Sequence, residues 1–198
     1  MTALQKEEGI AARALEFVIL TVARTGEVIG ARWGEIDKAD KVWTVPAGRM
    51  KAAKAHRVPL SARAIAILDE VKLLCDARDG HDEAEAFVFP GGKSGQPLST
   101  MAFLRLLRRM KRGDLTTHGF RATFRDWAAE RTNFPNEVAE MALAHTISSK
   151  VEQAYRRGDL FERRRRIMRA WSIFCATPKK ALQNNVTTAR KKGQLATA

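Results

Sequence analysis

Tyr155 is the only tyrosine in the chain, in the stretch KVEQAYRRGD, with Arg156 and Arg157 directly behind it. A phenol titrates near pH ~10, so at neutral pH it is a poor nucleophile unless something activates it. The two arginines raise the local positive potential and favour phenolate. They would serve equally as plain phosphate contacts or solvated charge. A second group lies in HGFRATFRDW, residues 118 to 127. On a helical wheel Phe120, Phe124 and Trp127 share the core side, while His118, Arg121 and Arg125 share another. His118 and Arg121 are i,i+3 neighbours, which sets an imidazole beside a guanidinium at the edge of a packed face. That pair can bind an anion and move a proton; taken alone, it also fits the polar side of an ordinary amphipathic helix.

Three further residues carry chemistry. Arg24 follows an apolar helical run, and its guanidinium keeps its charge when desolvated, so it needs an anionic partner. Glu27 is one candidate; a phosphate is the other, because the planar fork matches it bidentately. Lys51, with Lys54 close by, lies in a polar stretch between two β-branched segments, as a solvated loop lysine or a mobile proton donor over a bound anion. His145 follows Met141-Ala142-Leu143-Ala144, where a satisfied core or capping histidine is the plainest reading.

These side chains need a frame. Residues 11 to 23, AARALEFVILTVA, are apolar almost all round and describe a buried helix stopped near Gly26, with a short second helix over Glu27 to Trp33. VWTVPA (42–47) and HRVPLS (56–61) read as a hairpin around GRMKAAKA, and Phe87 to Phe89 as a third short strand. Ser61 caps a helix over 62–77, Ser99 or Thr100 one reaching Met110, and Thr116 or Thr117 one reaching Arg131. Pro135 opens a helix over 136–144; segments 149–156 and 159–176 complete the set. The expected fold is mainly α with a small antiparallel three-stranded β-sheet, an α+β arrangement. It forms one domain over residues 1–177, followed by a basic, aperiodic and disordered tail over 178–198.

Composition narrows the partner. The chain of 198 residues carries a formal charge of +13. Setting aside Lys179, Lys180, Arg190, Lys191 and Lys192 of the tail still leaves +8, so the folded part is basic by itself and suits a polyanion. Cys75 and Cys175 lie far apart in apolar helical patterns, as buried thiols do, and no CxxC or histidine spacing suits a metal. No apolar run approaches the ~20 residues of a membrane helix, and no signal peptide is evident; a cytoplasmic protein without membrane association or cofactor is expected.

In order, the chain offers ARTGEV around Arg24, RMK before HRVPLS, HGFR, LAH and AYRR. Five such pieces in this order and spacing resemble the tyrosine recombinase family, the phage- and prophage-type integrases. The match covers roughly residues 12 to 170, and the variant that inserts near transfer-RNA genes is the most similar. The resemblance implies a catalytic domain acting on double-stranded DNA. Tyr155 would attack a phosphodiester, giving a 3′-phosphotyrosyl link and a free 5′-hydroxyl, so the bond energy is kept and no ATP is needed. Arg24 and Arg121 would bind the non-bridging oxygens, with a hydrogen bond from His145. Lys51 would protonate the leaving 5′-oxygen, and His118 would assist as acid, base or orienting group. These charges would stand in for a metal.

The resemblance also implies that an amino-terminal core-binding domain is absent, so DNA binding should be weak and salt-sensitive. A monomer is expected alone, with self-association into a tetramer on DNA. The segment 159–176 is expected to dock on its own domain. Two other functions compete: relaxation of supercoils in the manner of a type IB topoisomerase, and a DNA-binding integrase remnant without turnover.

Overall fold

In the computed structural model, which describes residues 1–75, 84–145 and 159–177, the apolar run becomes the central helix. After a short α1 (Thr2–Gln5), α2 (Ile10–Thr21) is buried at every position from Ala12 to Thr21. It is surrounded by α3 (Thr25–Ile29), α4 (Ala62–Cys75), α5 (Ala102–Arg109), α6 (Thr117–Arg131) and α8 (Phe161–Ala176), with α7 (Asn136–Ala142) packed between α6 and α8. Burying α2 all round also buries Glu16. Its carboxylate is satisfied by Arg63 Nε and Nη2 at 2.9 Å each, Gln5 Nε2 at 3.0 Å and Arg13 Nη1 at 3.1 Å. Burial resists ionisation of Glu16, but these donors outweigh it and its pKa is lowered. The network ties α2 to α4.

The sheet is antiparallel with order β1-β2-β3: β1 (Ile36–Asp37), β2 (Val42–Val45) and β3 (His56–Pro59). The hairpin pairs Val45 with His56 and Val42 with Pro59. The third strand is β1, not Phe87–Phe89. That stretch pairs only locally with the segment after α3, Val88 N–H donating to Ala31 O at 2.8 Å and Trp33 N–H to Ala86 O at 3.1 Å. Pro90, with no backbone N–H, follows directly, and it bridges Pro97 instead of extending a strand.

The helix after α2 also differs from expectation. It spans Thr25–Ile29, and Gly26 lies inside it. Glu27 Oε2 accepts the Arg24 backbone N–H at 2.8 Å, which fixes the start at Arg24. The chain turns instead at Val22, whose φ of 50° is left-handed. A β-branched residue there is strained. The caps on α4 and α6 follow the sequence: Ser61 Oγ accepts from Ala64 N–H at 3.2 Å and Thr116 Oγ1 from Gly119 N–H at 3.0 Å.

Helix α8 docks on its own domain. Phe161, Arg164, Ile167, Met168 and Trp171 form its buried stripe. Trp171 stacks on Phe174, meets Trp127 at a tilt and Phe124 edge-on, and its Nε1–H donates to Ile19 O at 2.8 Å. Arg164, also buried, donates to the carbonyls of Asp159 and Arg57 and to the Asp159 carboxylate, which joins the start of α8 to β3. Cys75 and Cys175 are half-buried at the edge of the core rather than fully buried, and burial still pushes the Cys175 thiol up to about 12, as for an unreactive cysteine. Among the described residues no helix is long and apolar enough to cross a membrane.

Candidate active site

Three segments of the chain meet at one place. The first is the link from α2 to α3, which carries Arg24. The second is the second turn of α6, which carries Arg121. The third is the end of α7, which carries His145. Thr25 Oγ1 donates to Thr117 Oγ1 at 2.9 Å and ties the start of α3 to the start of α6.

Arg24 is partly exposed and Glu27 is buried beneath it, with Nη1 to Oε1 at 2.8 Å. So Glu27 is the carboxylate partner that the sequence offered. Among the described residues, it leaves the second face of the fork with one long contact, Nη2 to Ala144 O at 3.3 Å. Arg121 is buried, contrary to its expected place at the edge of the helix. Its Nη1 donates to Val22 O, its Nη2 donates to Leu143 O at 2.6 Å, and the same nitrogen lies 3.4 Å from His145 Nε2. The strained turn at Val22 therefore offers its carbonyl to Arg121. At the end of α7, Ala144 is also left-handed, with φ of 51°. That turn presents the carbonyls of Leu143 and Ala144 to the two arginines, and a helix C-terminus is the negative end of the dipole.

The two guanidiniums sit close enough to interact. Burial first, and then Arg24, lower the pKa of Arg121 to about 10, while Glu27 opposes the shift. Arg121 stays protonated at neutral pH. Among the described residues Arg24, Arg121 and Arg125 outnumber the carboxylates of Glu27 and Glu140, so the place has a surplus of positive charge and suits an anion. The contact from Arg121 to His145 is long, and an oxyanion could replace it.

The remaining expected residues lie as follows. His118 is exposed on the first turn of α6, one turn before Arg121 and next to the Thr25–Thr117 bond. Lys51 is exposed in the turn between β2 and β3, with no side-chain partner among the described residues. That turn is anchored at Arg49, whose Nη1 donates to Glu27 O at 2.8 Å and whose Nη2 pairs with Glu35. The Lys51 turn is thus fastened to the element that holds Arg24. Gly30 makes room for the anchor: a Cβ there would lie 2.7 Å from Arg49 Nη1. Tyr155, Arg156 and Arg157 lie outside the described residues. Among the described residues no group of three or more His, Cys, Asp or Glu could hold a metal ion.

Two residues in this neighbourhood went unread in the sequence. Glu140 Oε2 contacts His145 Nδ1 at 2.7 Å, and its Oε1 accepts from Arg125 Nε at 2.6 Å. Five residues apart is no helical neighbour spacing; the left-handed turn at Ala144 makes the contact. His56, at the start of β3, is the second. Period-two alternation was the available signal, because His56, Val58 and Leu60 fall on one inward face. Its ring meets the backbone of Ala142. His56, Arg121 and Arg24 thus engage residues 142, 143 and 144 in turn.

Burial, then Arg164, lower the pKa of His56 from its usual value to about 4. Folding therefore favours the neutral ring. Its contribution is fully present above the unfolded pKa near ~6.5 and is lost as pH falls towards 4, on the order of 2–3 kcal/mol. Urea midpoints measured from pH 7 to pH 4 should fall more steeply for the natural chain than for His56→Gln. Parallel profiles would show that His56 does not titrate between these values.

The phage integrase family model matches residues 1–160. Prophage integrase IntA of Escherichia coli (strain K12) is 38% identical over 156 residues, which is 78% of this chain and 36% of the relative. The chain thus spans little more than a third of that protein's length. The fold is shared with the XerA recombinase, at a TM-score of 0.52 and 18% identity over 93% of this chain and 64% of that one. It is also shared with a lambda integrase solved as a tetramer bound to a Holliday junction, at 0.51 and 17% over 77% and 44%. With most of its length matched by the family model and its fold found in two recombinases, the chain belongs to the phage integrase family of tyrosine recombinases.

Proposed function

We propose that this chain is the catalytic unit of a site-specific DNA recombinase, over residues 1–177 with a basic tail over 178–198. The observation that carries this reading is the convergence of Arg24, Arg121 and His145, from three separate elements, on one place with surplus positive charge. Arg24 and Arg121 hold the non-bridging oxygens of one DNA phosphate and neutralise the charge that grows there during transfer. Tyr155 attacks phosphorus and becomes joined to the 3′ side, and the 5′-hydroxyl leaves with a proton from Lys51. A 5′-hydroxyl from the partner strand then reverses the step, so the number of phosphodiester bonds is conserved. His118 assists as acid, base or orienting group, and His145 contributes a hydrogen bond.

Double-stranded DNA is the partner, and the net charge of +13 supports it. Assembly into a tetramer on DNA follows the lambda integrase solved on a junction. The cellular setting is cytoplasmic. The reading is tested with plasmids bearing paired attachment sites, assayed for both recombinants and relaxed circles. Recombinants that depend on both sites support it. Relaxation of any supercoiled plasmid without exchange would make the chain a topoisomerase, and neither product would leave a DNA-binding remnant.

A further inference from the structure

Glu140 is largely buried at the end of α7 and lies between two partners, Arg125 Nε at 2.6 Å and His145 Nδ1 at 2.7 Å. Burial resists its ionisation, but His145 and Arg125 outweigh that and its pKa is lowered. A carboxylate can only accept hydrogen bonds, so Nδ1 of His145 must carry the proton of the contact. On the other side of the ring, Arg121 Nη2 faces Nε2 at 3.4 Å, and a guanidinium can only donate. Both neighbours therefore require the same neutral form, with hydrogen on Nδ1 and a lone pair on Nε2. In that form Nε2 cannot donate to an oxyanion.

We propose that Glu140 is a positioning residue that fixes His145 in the Nδ1–H tautomer, so that the ring becomes a donor to an incoming phosphate only by taking up a proton at Nε2. The balance is simple. Nε2 binds one proton from solvent, the imidazolium pairs with the Glu140 carboxylate, and the new N–H points where Arg121 Nη2 was the neighbour. Among the described residues, Glu140 from α7 and Arg121 from α6 meet the ring; Arg125 reaches it through Glu140, and Arg24 Nη2 reaches the adjoining Ala144 carbonyl. The tautomer stands on the free chain alone, and only the identity of the anion rests on the proposed function.

The test uses the ring nitrogens of His145 by 15N NMR in the whole chain, assigned by difference from His145→Gln and followed across pH. The natural chain should show a pyrrole-type Nδ1 and a pyridine-type Nε2 in its neutral form. Glu140→Gln still offers an acceptor oxygen, so it should keep that tautomer. Glu140→Met offers none and should release the ring to the Nε2–H form. Nε2–H in the natural chain, or an unchanged tautomer in a folded Glu140→Met chain, would overturn the proposal. In DNA cleavage, Glu140→Met should slow the reaction roughly tenfold, the lower end of the cost of removing a carboxylate behind a working histidine. DNA affinity should stay within about twofold, and Glu140→Gln, which keeps the acceptor, should lose less of the rate than Glu140→Met. If the natural chain cleaves no DNA, the functional reading fails while the NMR result still decides the role of Glu140.

Discussion

Tyr155→Phe should abolish covalent attachment to DNA. The substitution removes one oxygen and leaves a ring of nearly the same shape, so folding and DNA affinity should be unchanged. No other phenol exists in the chain to take over. A covalent link needs a side-chain nucleophile, whereas water would give hydrolysis without a protein link. Complexes that resist detergent should therefore vanish, while a gel shift at low salt persists with the same midpoint. A surviving covalent band would mean that another side chain is the nucleophile.

Arg121→Lys should lower the cleavage rate about 100-fold, which corresponds to ~3 kcal/mol of lost transition-state stabilisation. Lysine keeps the charge but not the fork. The guanidinium of Arg121 now reaches Val22 O, Leu143 O and the ring of His145 at once, and one ammonium cannot span all three. Each buried carbonyl left without a donor costs about 1–3 kcal/mol, so the thermal midpoint should fall as well. Arg24→Lys, on a partly exposed residue, should lower the rate by a similar factor with little change in the midpoint. Single-turnover cleavage and thermal melts on both chains check the contrast. Equal melting losses would mean that the two arginines have the same structural duty.

Much of this frame was legible because short-range rules decide it. The apolar run before Arg24 could only be a buried helix, and Thr116 reads as a cap because its hydroxyl meets an N–H three residues on. The buried stripe of α8 repeats at helical spacing. What was not legible depends on partners distant in sequence. Arg121 looks like an edge residue on a helical wheel; its burial is balanced by the Val22 carbonyl, 99 residues earlier. Arg164 reads as one more arginine in RRRR, yet it is sealed against the Arg57 carbonyl of β3. The start of α3 was misplaced because Glu27 bonds the backbone of Arg24 and draws the helix forward. The third strand was misplaced because Ile36–Asp37 is two residues long, too short for a periodic signal. Order and residue type named the candidates; the left-handed turns at Val22 and Ala144 bring Arg24, Arg121 and His145 together.

Arg24, Arg121 and His145 are proposed to direct Tyr155 to a DNA phosphorus. The direct measurement is to trap the natural chain on a pool of nicked duplexes, digest the adduct, and identify the joined residue and DNA end by mass spectrometry. The account predicts one link, from the Tyr155 oxygen to a 3′-phosphate, with a free 5′-hydroxyl on the other strand end. A link to a 5′-phosphate, to any other residue, or no link under conditions where the chain binds the duplex would contradict it.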